Sequence, residues 1–262
     1  MRLVITGASS GLGSAFAAEF ARRFPGAVMM LVARRADRLR QLAAGLAGVR
    51  CECVPLDVTD APALDAACRS FVDRHGAPEI VIANAGISAG TVTGTEGDRA
   101  VFRRIVDVNL LSMVDTFAPF IAPMRVAGQG TLVGIGSVAG VRGLPGAEAY
   151  SASKAAAIAY LESLRIGLRG SGIAVVTIAP GYVRSEMTAV NTYRMPFLMP
   201  ADDFARHAVE AILRKESYRT IPWQMAWAAR LLRVLPDRLY DRLLANAPRK
   251  ARNPSLGGGD GE

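Results

Sequence analysis

Short apolar runs alternate with longer segments of helical periodicity along most of the chain. The runs are four to seven residues long, rich in β-branched side chains and often bounded by glycine or proline, which is typical of strands. Six runs are predicted as strands: 3–6, 27–32, 50–55, 80–83, 130–136 and 173–179.

The segments between these runs place apolar residues at helical spacing. They are predicted as helices over 13–24, 36–46, 60–75, 98–126 and 149–168. Because strand and helix alternate strictly, the strands should run parallel, with right-handed crossovers. Strands that are apolar throughout must be covered on both faces. The predicted fold is therefore α/β, a single doubly wound, Rossmann-like sheet with its ligand at the carboxyl ends of the strands.

Composition fits one large domain. Of the 262 residues, 51% are hydrophobic, which allows a sheet buried on both faces. We assign residues 1–220 to this domain. No uninterrupted apolar run reaches the roughly 18 to 20 residues of a spanning helix. The chain enters its first strand directly after Met1, which leaves no room for a targeting leader, so a cytoplasmic location is expected.

Residues 221–252 are predicted as an amphipathic helical extension of the same domain, and 253–262 as a disordered tail. Trp223, Trp227 and Leu231 follow helical spacing, and from 219 to 252 eight basic residues accompany two acidic ones, a large part of the net charge of +8. Two interpretations remain open: helices packed over the cleft or against a second subunit, or peripheral contact with an anionic membrane. No recognition module accompanies the charge, so nucleic-acid binding is not expected.

Cysteines and histidines offer little chemistry. Cys51, Cys53 and Cys68 contain no CxxC pair and are odd in number, so we expect inert thiols without a disulfide framework. His75 and His207 have no partner at ligand spacing, and no metal site is predicted.

A glycine-rich turn lies between the first predicted strand and the first helix. Its residues are Gly7, Ser9, Ser10, Gly11, Leu12 and Gly13, in the spacing GxxxGxG. Glycine permits a tight turn and a close approach of a pyrophosphate to backbone amides, and the helix N-terminus adds partial positive charge. Ordinary structural turns are also rich in glycine, so composition alone does not identify a cofactor site. The position of this turn directly after the first predicted strand favours one.

The second predicted strand ends at Arg34 and Arg35, and no acid appears before Asp37. NAD-binding folds usually place an acid here on the adenosine ribose, whereas the 2′-phosphate of NADP requires a basic group. Guanidinium groups match that phosphate with a fork geometry. We therefore expect NADP(H); the alternative is the solvated start of the next helix.

Tyr150 and Lys154 are four residues apart, on one face of a predicted helix. A phenol with its ordinary pKa near 10 is a poor proton shuttle at neutral pH. A neighbouring ammonium stabilises the phenolate and lowers that pKa. The pair is thus interpreted as an acid/base device.

Several motifs occur in a specific order: Thr6-Gly7-x-x-x-Gly11-x-Gly13, Asp57-Val58, Asn84-Ala85-Gly86, Asn109, Ser137, Tyr150-x-x-x-Lys154 and Pro180-Gly181. Through them, residues 1–220 resemble the short-chain dehydrogenase/reductase family. The resemblance implies that Tyr150 exchanges a proton with the substrate oxygen while hydride passes to or from the nicotinamide. It also implies that Lys154 lowers the pKa of the phenol and binds the nicotinamide ribose, that Ser137 orients the substrate oxygen, and that Asn109 supports a water relay to Lys154.

The same resemblance assigns further residues to the cofactor. Asp57 and Val58 are expected to contact adenine, and Asn84, Ala85 and Gly86 to allow close backbone packing beside the cofactor. Pro180, Gly181 and Val183 should border the nicotinamide. Ser185 stands where many members carry threonine, and its hydroxyl is expected to hold the carboxamide.

The expected function is an NADP(H)-dependent carbonyl reductase, reversible in principle, with a small and lipophilic substrate. Apolar residues in the loops after the fifth and sixth strands suggest a substrate pocket: Val138, Leu144, Met187 and Phe197. The resemblance implies a homo-oligomer, and we expect a dimer. Two alternatives remain: a membrane-surface reductase of a 3-keto lipid intermediate, and a sensor that binds NADP(H) without turnover.

Overall fold

The computed structural model describes residues 1–257 and contains a seven-stranded, wholly parallel sheet. The strands are β1 (Arg2–Thr6), β2 (Val28–Ala33), β3 (Arg50–Pro55), β4 (Ile80–Ala83), β5 (Gly130–Ile135), β6 (Ile173–Pro180) and β7 (Tyr218–Ile221). Their order is β3-β2-β1-β4-β5-β6-β7. The predicted doubly wound α/β fold is confirmed. Strand β7 was missed because it is short, lies at the edge and exposes Tyr218 and Arg219.

Helices cover both faces of the sheet. They are α1 (Gly11–Arg23), α2 (Ala36–Gly45), α3 (Ala61–His75), α4 (Asp98–Val106), α5 (Ser112–Ala127), α6 (Glu148–Gly167), α7 (Glu186–Ala189), α8 (Ala201–Leu213), α9 (Trp223–Val234) and α10 (Asp237–Leu244). Alternate residues of β1 supply the two cores: Ile5 packs with Phe16 of α1 on one face, and Val4 with Phe117 of α5 on the other. Because both faces are buried at the centre of the sheet, β1, β2, β4, β5 and β6 are mostly apolar, whereas the edge strand β3 carries Arg50 and Glu52.

The long helix predicted over 98–126 is interrupted. A π-helical turn, Asp107–Leu111, separates α4 from α5. Such turns are frequent at functional sites because they re-aim a side chain within a helix, and this one carries Asn109. By length and composition alone, Asp98–Ala127 is long and apolar enough to cross a membrane, although Asp107 and Asp115 interrupt its apolar run. Half of its most apolar window is buried inside the fold, as expected of a core helix.

The end of the described chain crosses the fold as a strap, residues 249–257. Arg252 pairs with Asp98, which is only 3% exposed, and the Gly90 amide donates to the Ala251 carbonyl. Leu256 packs against the cluster around Ala89. The sequence placed 253–257 in a disordered tail, but Pro254–Gly257 forms a 3₁₀ helix against α4. The rest of that predicted tail lies outside the described residues.

The order of the strands sets the position of a ligand. The chain moves outward from β1 through β2 to β3, and then continues from β4 on the other side of β1. At such a reversal the loops after β1 and β4 diverge and leave a crevice at the carboxyl ends of the strands. The glycine turn and Asn84 follow these two strands, so the fold brings them to one crevice.

Candidate active site

A cavity of about 280 Å³ lies along this crevice. Nearly all predicted cofactor residues line it, together with three of the four predicted catalytic residues. They are Gly7, Ser9, Ser10, Gly11, Leu12, Arg34, Arg35, Asp57, Val58, Asn84, Ala85, Gly86, Ser137, Tyr150, Lys154, Pro180, Gly181, Val183 and Ser185. Gly13 and Asn109 lie behind the lining. The fold thus brings residues from all the predicted motifs except Asn109 to the lining of one cavity.

The glycine turn is built for close approach. Gly7 and Gly11 have φ of +66° and +55°, a region that favours glycine, and a Cβ on Gly7 would lie 2.8 Å from the Ala85 Cα. A Cβ on Gly13 would overlap the Gly7 carbonyl. Helix α1 begins here without a side-chain cap or an acid in its first turn, so its first amides are available to an anion. The cradle fits the pyrophosphate of a dinucleotide.

Asn84 and Thr6 brace the turn from β4 and β1. The Asn84 amide donates to the carbonyls of Thr6 (3.0 Å) and Gly7 (3.2 Å). In return, the Thr6 hydroxyl accepts from the backbone amides of Asn84 and Ala85. Asn84 therefore holds the turn in shape through its side chain, a role more specific than the close packing expected of it.

Arg34 lies at the cavity with its side chain 60% exposed. Asp57, 3.8 Å away, is its ion-pair partner among the described residues, and that distance exceeds a hydrogen bond. Asp57 is held instead by Thr59 and by Arg104, at 2.6 Å. Burial alone would raise the pKa of the Asp57 carboxyl, but these hydrogen bonds outweigh burial and lower it. Arg34 thus keeps donors free for a phosphate.

Arg35 is engaged within the fold. Its guanidinium donates to the hydroxyl of Ser10 at 2.7 Å and to that of Ser9 at 3.3 Å, and it pairs with Glu186 at 3.0 Å. Glu186, the first residue of α7, also pairs with Arg38. In this structure the Glu186 carboxylate therefore takes the place at Arg35 that the sequence assigns to a phosphate.

Arg104 and Glu186 were not found from the sequence. Arg104 is 47 residues from Asp57, and Glu186 is 151 residues from Arg35. Neither position carries a local signal, because its partner is set by tertiary packing.

Tyr150 and Ser137 face the cavity from the start of α6 and the end of β5. Burial raises the pKa of the Tyr150 phenol, and the neighbouring Ser137 hydroxyl opposes that shift. The sequence predicts that Lys154 lowers this pKa; in the structure burial raises it, and the opposing effect comes from Ser137. The Ser137 hydroxyl also accepts a hydrogen bond from the Ala139 amide at 3.1 Å. This bond fixes the hydroxyl at the start of the 3₁₀ turn Val138–Gly140.

Lys154 is 4% exposed and lies one helical turn beyond Tyr150. Its ammonium donates to the Ile135 carbonyl at 2.8 Å and lies 6.0 Å from the centre of the Tyr150 ring. Burial lowers the pKa of this amine to about 8. No carboxylate among the described residues lies within 4 Å to offset the burial, so the cation is held by dipoles alone.

Asn109 is fully buried, and its side chain braces the backbone of Ile87. Its Oδ1 accepts from the Ile87 amide at 2.8 Å, and its Nδ2 donates to the Ile87 carbonyl and to Ser153 at 3.0 Å. A Cβ on Gly86 would lie 3.3 Å from Asn109 Oδ1 and 3.6 Å from Lys154 Nζ. Gly86 therefore keeps open the space between them; the water relay stays a prediction.

The segment after β6 closes the far end of the cavity. Ser185 caps α7 in a reciprocal pair with Thr188, and Met187 lines the cavity as predicted. Lys250 of the strap donates to the Met187 carbonyl at 3.3 Å.

The other three predicted substrate residues do not line this cavity. Val138 and Leu144 are half-buried, and Phe197 is 54% exposed with a φ of +57°. Their contact with substrate stays a prediction.

Comparisons with known proteins agree with this site. A family model described as short chain dehydrogenase matches residues 2–195. An uncharacterized oxidoreductase of Myxococcus xanthus is 41% identical over 240 residues, 91% of this chain and 94% of that protein. A sulfoacetaldehyde reductase of Chromohalobacter salexigens is 30% identical, covering 86% and 95%. The solved short-chain dehydrogenase of Sphingobium yanoikuyae, in complex with NADPH, superposes with a TM-score of 0.76 at 30% identity, over 94% and 96% of the chains.

The family match covers well over half of the chain, and the relatives align over nearly their whole lengths. The motifs that carried the resemblance are also those that meet at the cavity. The chain therefore belongs to the short-chain dehydrogenase/reductase family, as an NAD(P)-dependent oxidoreductase that acts on CH–OH groups.

Proposed function

We propose that this protein is an NADP(H)-dependent carbonyl reductase whose proton donor is Tyr150 and whose substrate is lipophilic. One observation carries the proposal: a single cavity joins Tyr150, Ser137 and Lys154 to the glycine turn and the two arginines after β2. The NADPH-bound neighbour from Sphingobium yanoikuyae supports the choice of cofactor.

Bound NADPH would supply the hydride, and the chain supplies position, charge and a proton. Gly7 and the first amides of α1 receive the pyrophosphate, and Arg34 receives the 2′-phosphate. Pro180 and Ser185 also line the cavity, and the nicotinamide would lie against them.

The proton comes from Tyr150. Its raised pKa keeps the phenol protonated at neutral pH, as a general acid for carbonyl reduction requires. Ser137 donates a second hydrogen bond to the substrate oxygen as negative charge develops there. The nearby ammonium of Lys154 favours the phenolate that remains after proton transfer.

Apolar side chains in the cavity support a lipophilic substrate. Ile87, Val108, Met187 and Leu256 line it. Methionine adapts to varied apolar shapes, which suits a pocket of moderate selectivity.

A panel of carbonyl compounds tests the function. We expect oxidation of NADPH, followed by nicotinamide absorbance, with methyl ketones of increasing chain length. Each methylene buried in the pocket should raise kcat/KM about fourfold until the pocket is filled. Small polar carbonyls, including sulfoacetaldehyde, are the comparison set. Turnover confined to polar carbonyls would contradict the lipophilic substrate, and no turnover with any compound would contradict the reductase.

Cofactor choice is tested at Arg34. We expect Arg34→Ala to weaken NADPH binding about tenfold to a hundredfold, since one charge-assisted hydrogen-bonding group is lost, and to leave NADH binding nearly unchanged. Titration by nicotinamide fluorescence measures both constants. Arg40→Ala is the matched control, because Arg40 is exposed and pairs with Asp37 on α2 away from the cavity. Equal losses for both cofactors would remove Arg34 from the phosphate site.

The pH dependence of reduction should report Lys154. Below its pKa of about 8 the amine is charged, and it loses that charge as pH rises, while Tyr150, with its raised pKa, keeps its proton. We expect kcat/KM to fall about tenfold per pH unit above this point. Lys154→Arg, which keeps its charge, should move the decline above pH 10 at reduced activity. A wild-type profile that stays flat to pH 10, or a decline unmoved by the substitution, would contradict this role.

A further inference from the structure

The surface of α9 is unlike that of a helix that only packs on its own domain. Four large apolar side chains form a stripe along it: Trp223, Trp227, Leu231 and Val234. Their exposed fractions are 64%, 63%, 62% and 76%. Their spacing of four, four and three residues keeps them on one face. We call these four residues the α9 stripe.

The opposite face fixes α9 to the fold. Ala229 is buried, and Met225 packs so closely on Gly181 that a Cβ there would lie 2.8 Å from its Cγ. Arg142 donates to the Leu232 carbonyl at the end of the helix. These contacts on the opposite face hold α9 in place, so the α9 stripe faces outward.

The unpaired charge beside the stripe is positive. Residues 216–237 contain Arg219, Arg230 and Arg233 and two acids, Glu216 and Asp237, which pair with Arg219 and with Arg142. Arg230 and Arg233 have no carboxylate within 4 Å among residues 1–257, and Arg230 lies over the Trp227 ring, 5.4 Å from its centre. A shallow cleft of about 300 Å³ at the base of the stripe is lined by all three arginines.

We propose that the α9 stripe and its three arginines dock on the surface of an anionic lipid bilayer. Tryptophan and leucine partition into the interface of a bilayer, and arginines beside them pair with acidic headgroups. A second copy of the chain fits less well, since a twofold contact through this face would bring together the unpaired Arg230 and Arg233 of both copies, and α9 carries no acid to offset them. The net charge of +8 on the whole chain also favours binding to an anionic surface.

Docking places the cavity beside the bilayer. The helix contacts the 3₁₀ turn that follows Ser137, and Met225 contacts Gly181, which lines the cavity. A lipophilic carbonyl compound dissolved in the bilayer would thus lie close to the part of the cavity lined by Ser137 and Gly181. The docking surface itself does not depend on the proposed function.

The two tryptophans of the chain both belong to the stripe, so their fluorescence reports the surface directly. The full chain is mixed with vesicles of phosphatidylcholine alone, or of phosphatidylcholine with about one third phosphatidylglycerol. We expect a blue shift and co-sedimentation with the anionic vesicles, both weakened by high salt. Arg230→Glu/Arg233→Glu should reduce this binding at least about tenfold. Leu231→Ser/Val234→Ser should reduce it while both tryptophans remain.

Arg125→Glu/Arg169→Glu is the matched control, since both arginines are exposed and distant in sequence from α9. It changes the net charge by the same amount as Arg230→Glu/Arg233→Glu, so a general charge effect would weaken vesicle binding equally in both variants. We expect the control to bind vesicles like the unchanged chain. No preference for anionic vesicles, or equal losses in the control, would overturn the proposal. A blue shift that follows protein concentration without lipid, with α9 variants sedimenting as smaller species, would instead make the stripe a contact between copies. NADPH oxidation measured without vesicles keeps these outcomes separate from failure of the proposed reductase.

Discussion

The burial of the Lys154 ammonium beside Tyr150 is the constraint on which the rest of the site depends. A cation removed from water without a carboxylate partner is costly, and the drop of its pKa to about 8 expresses that cost. The fold offsets the cost with the Ile135 carbonyl at the end of β5. The Lys154 ammonium can therefore donate a further hydrogen bond to a bound ligand on the side facing Gly86, where the missing side chain leaves space. A buried, unpaired cation with a lowered pKa is typical of a catalytic site, and it reduces the stability of the folded state.

The fold was largely readable from the sequence, because strands buried on both faces carry continuous apolar runs. What escaped were elements without such a signal. Strand β7 is stabilised by pairing with β6 and exposes its first two residues. The π turn at Asp107–Leu111 lies within a continuous helical period, and only its packing shows where the extra residue lies. The strap was predicted as the end of the helical extension (249–252) and the start of a disordered tail (253–257), yet the ion pair of Arg252 with Asp98 holds it against the fold.

The site was readable where function fixes residue type at fixed spacing, and less so where tertiary contacts decide. The glycine turn, Tyr150 and Lys154 meet at the cavity as expected. The predicted direction of the Tyr150 pKa shift was wrong, since residue spacing reveals the neighbouring lysine but not the burial of the phenol, which raises its pKa. Glu186 binds Arg35 across 151 residues, and no local pattern announces such a pair. The substrate loops are the least determined by sequence, because their shape follows from packing.

Single-turnover hydride transfer in Tyr150→Phe tests the central claim most directly. The variant keeps the ring and removes the proton. With a ketone that the unchanged enzyme reduces, and with the enzyme saturated with NADPH, we expect the rate to fall on the order of 10² to 10⁴-fold while NADPH affinity is unchanged. Tyr160→Phe, on the same helix and outside the cavity lining, should leave the rate unchanged. Hydride transfer in Tyr150→Phe within a few-fold of the unchanged enzyme would contradict the account.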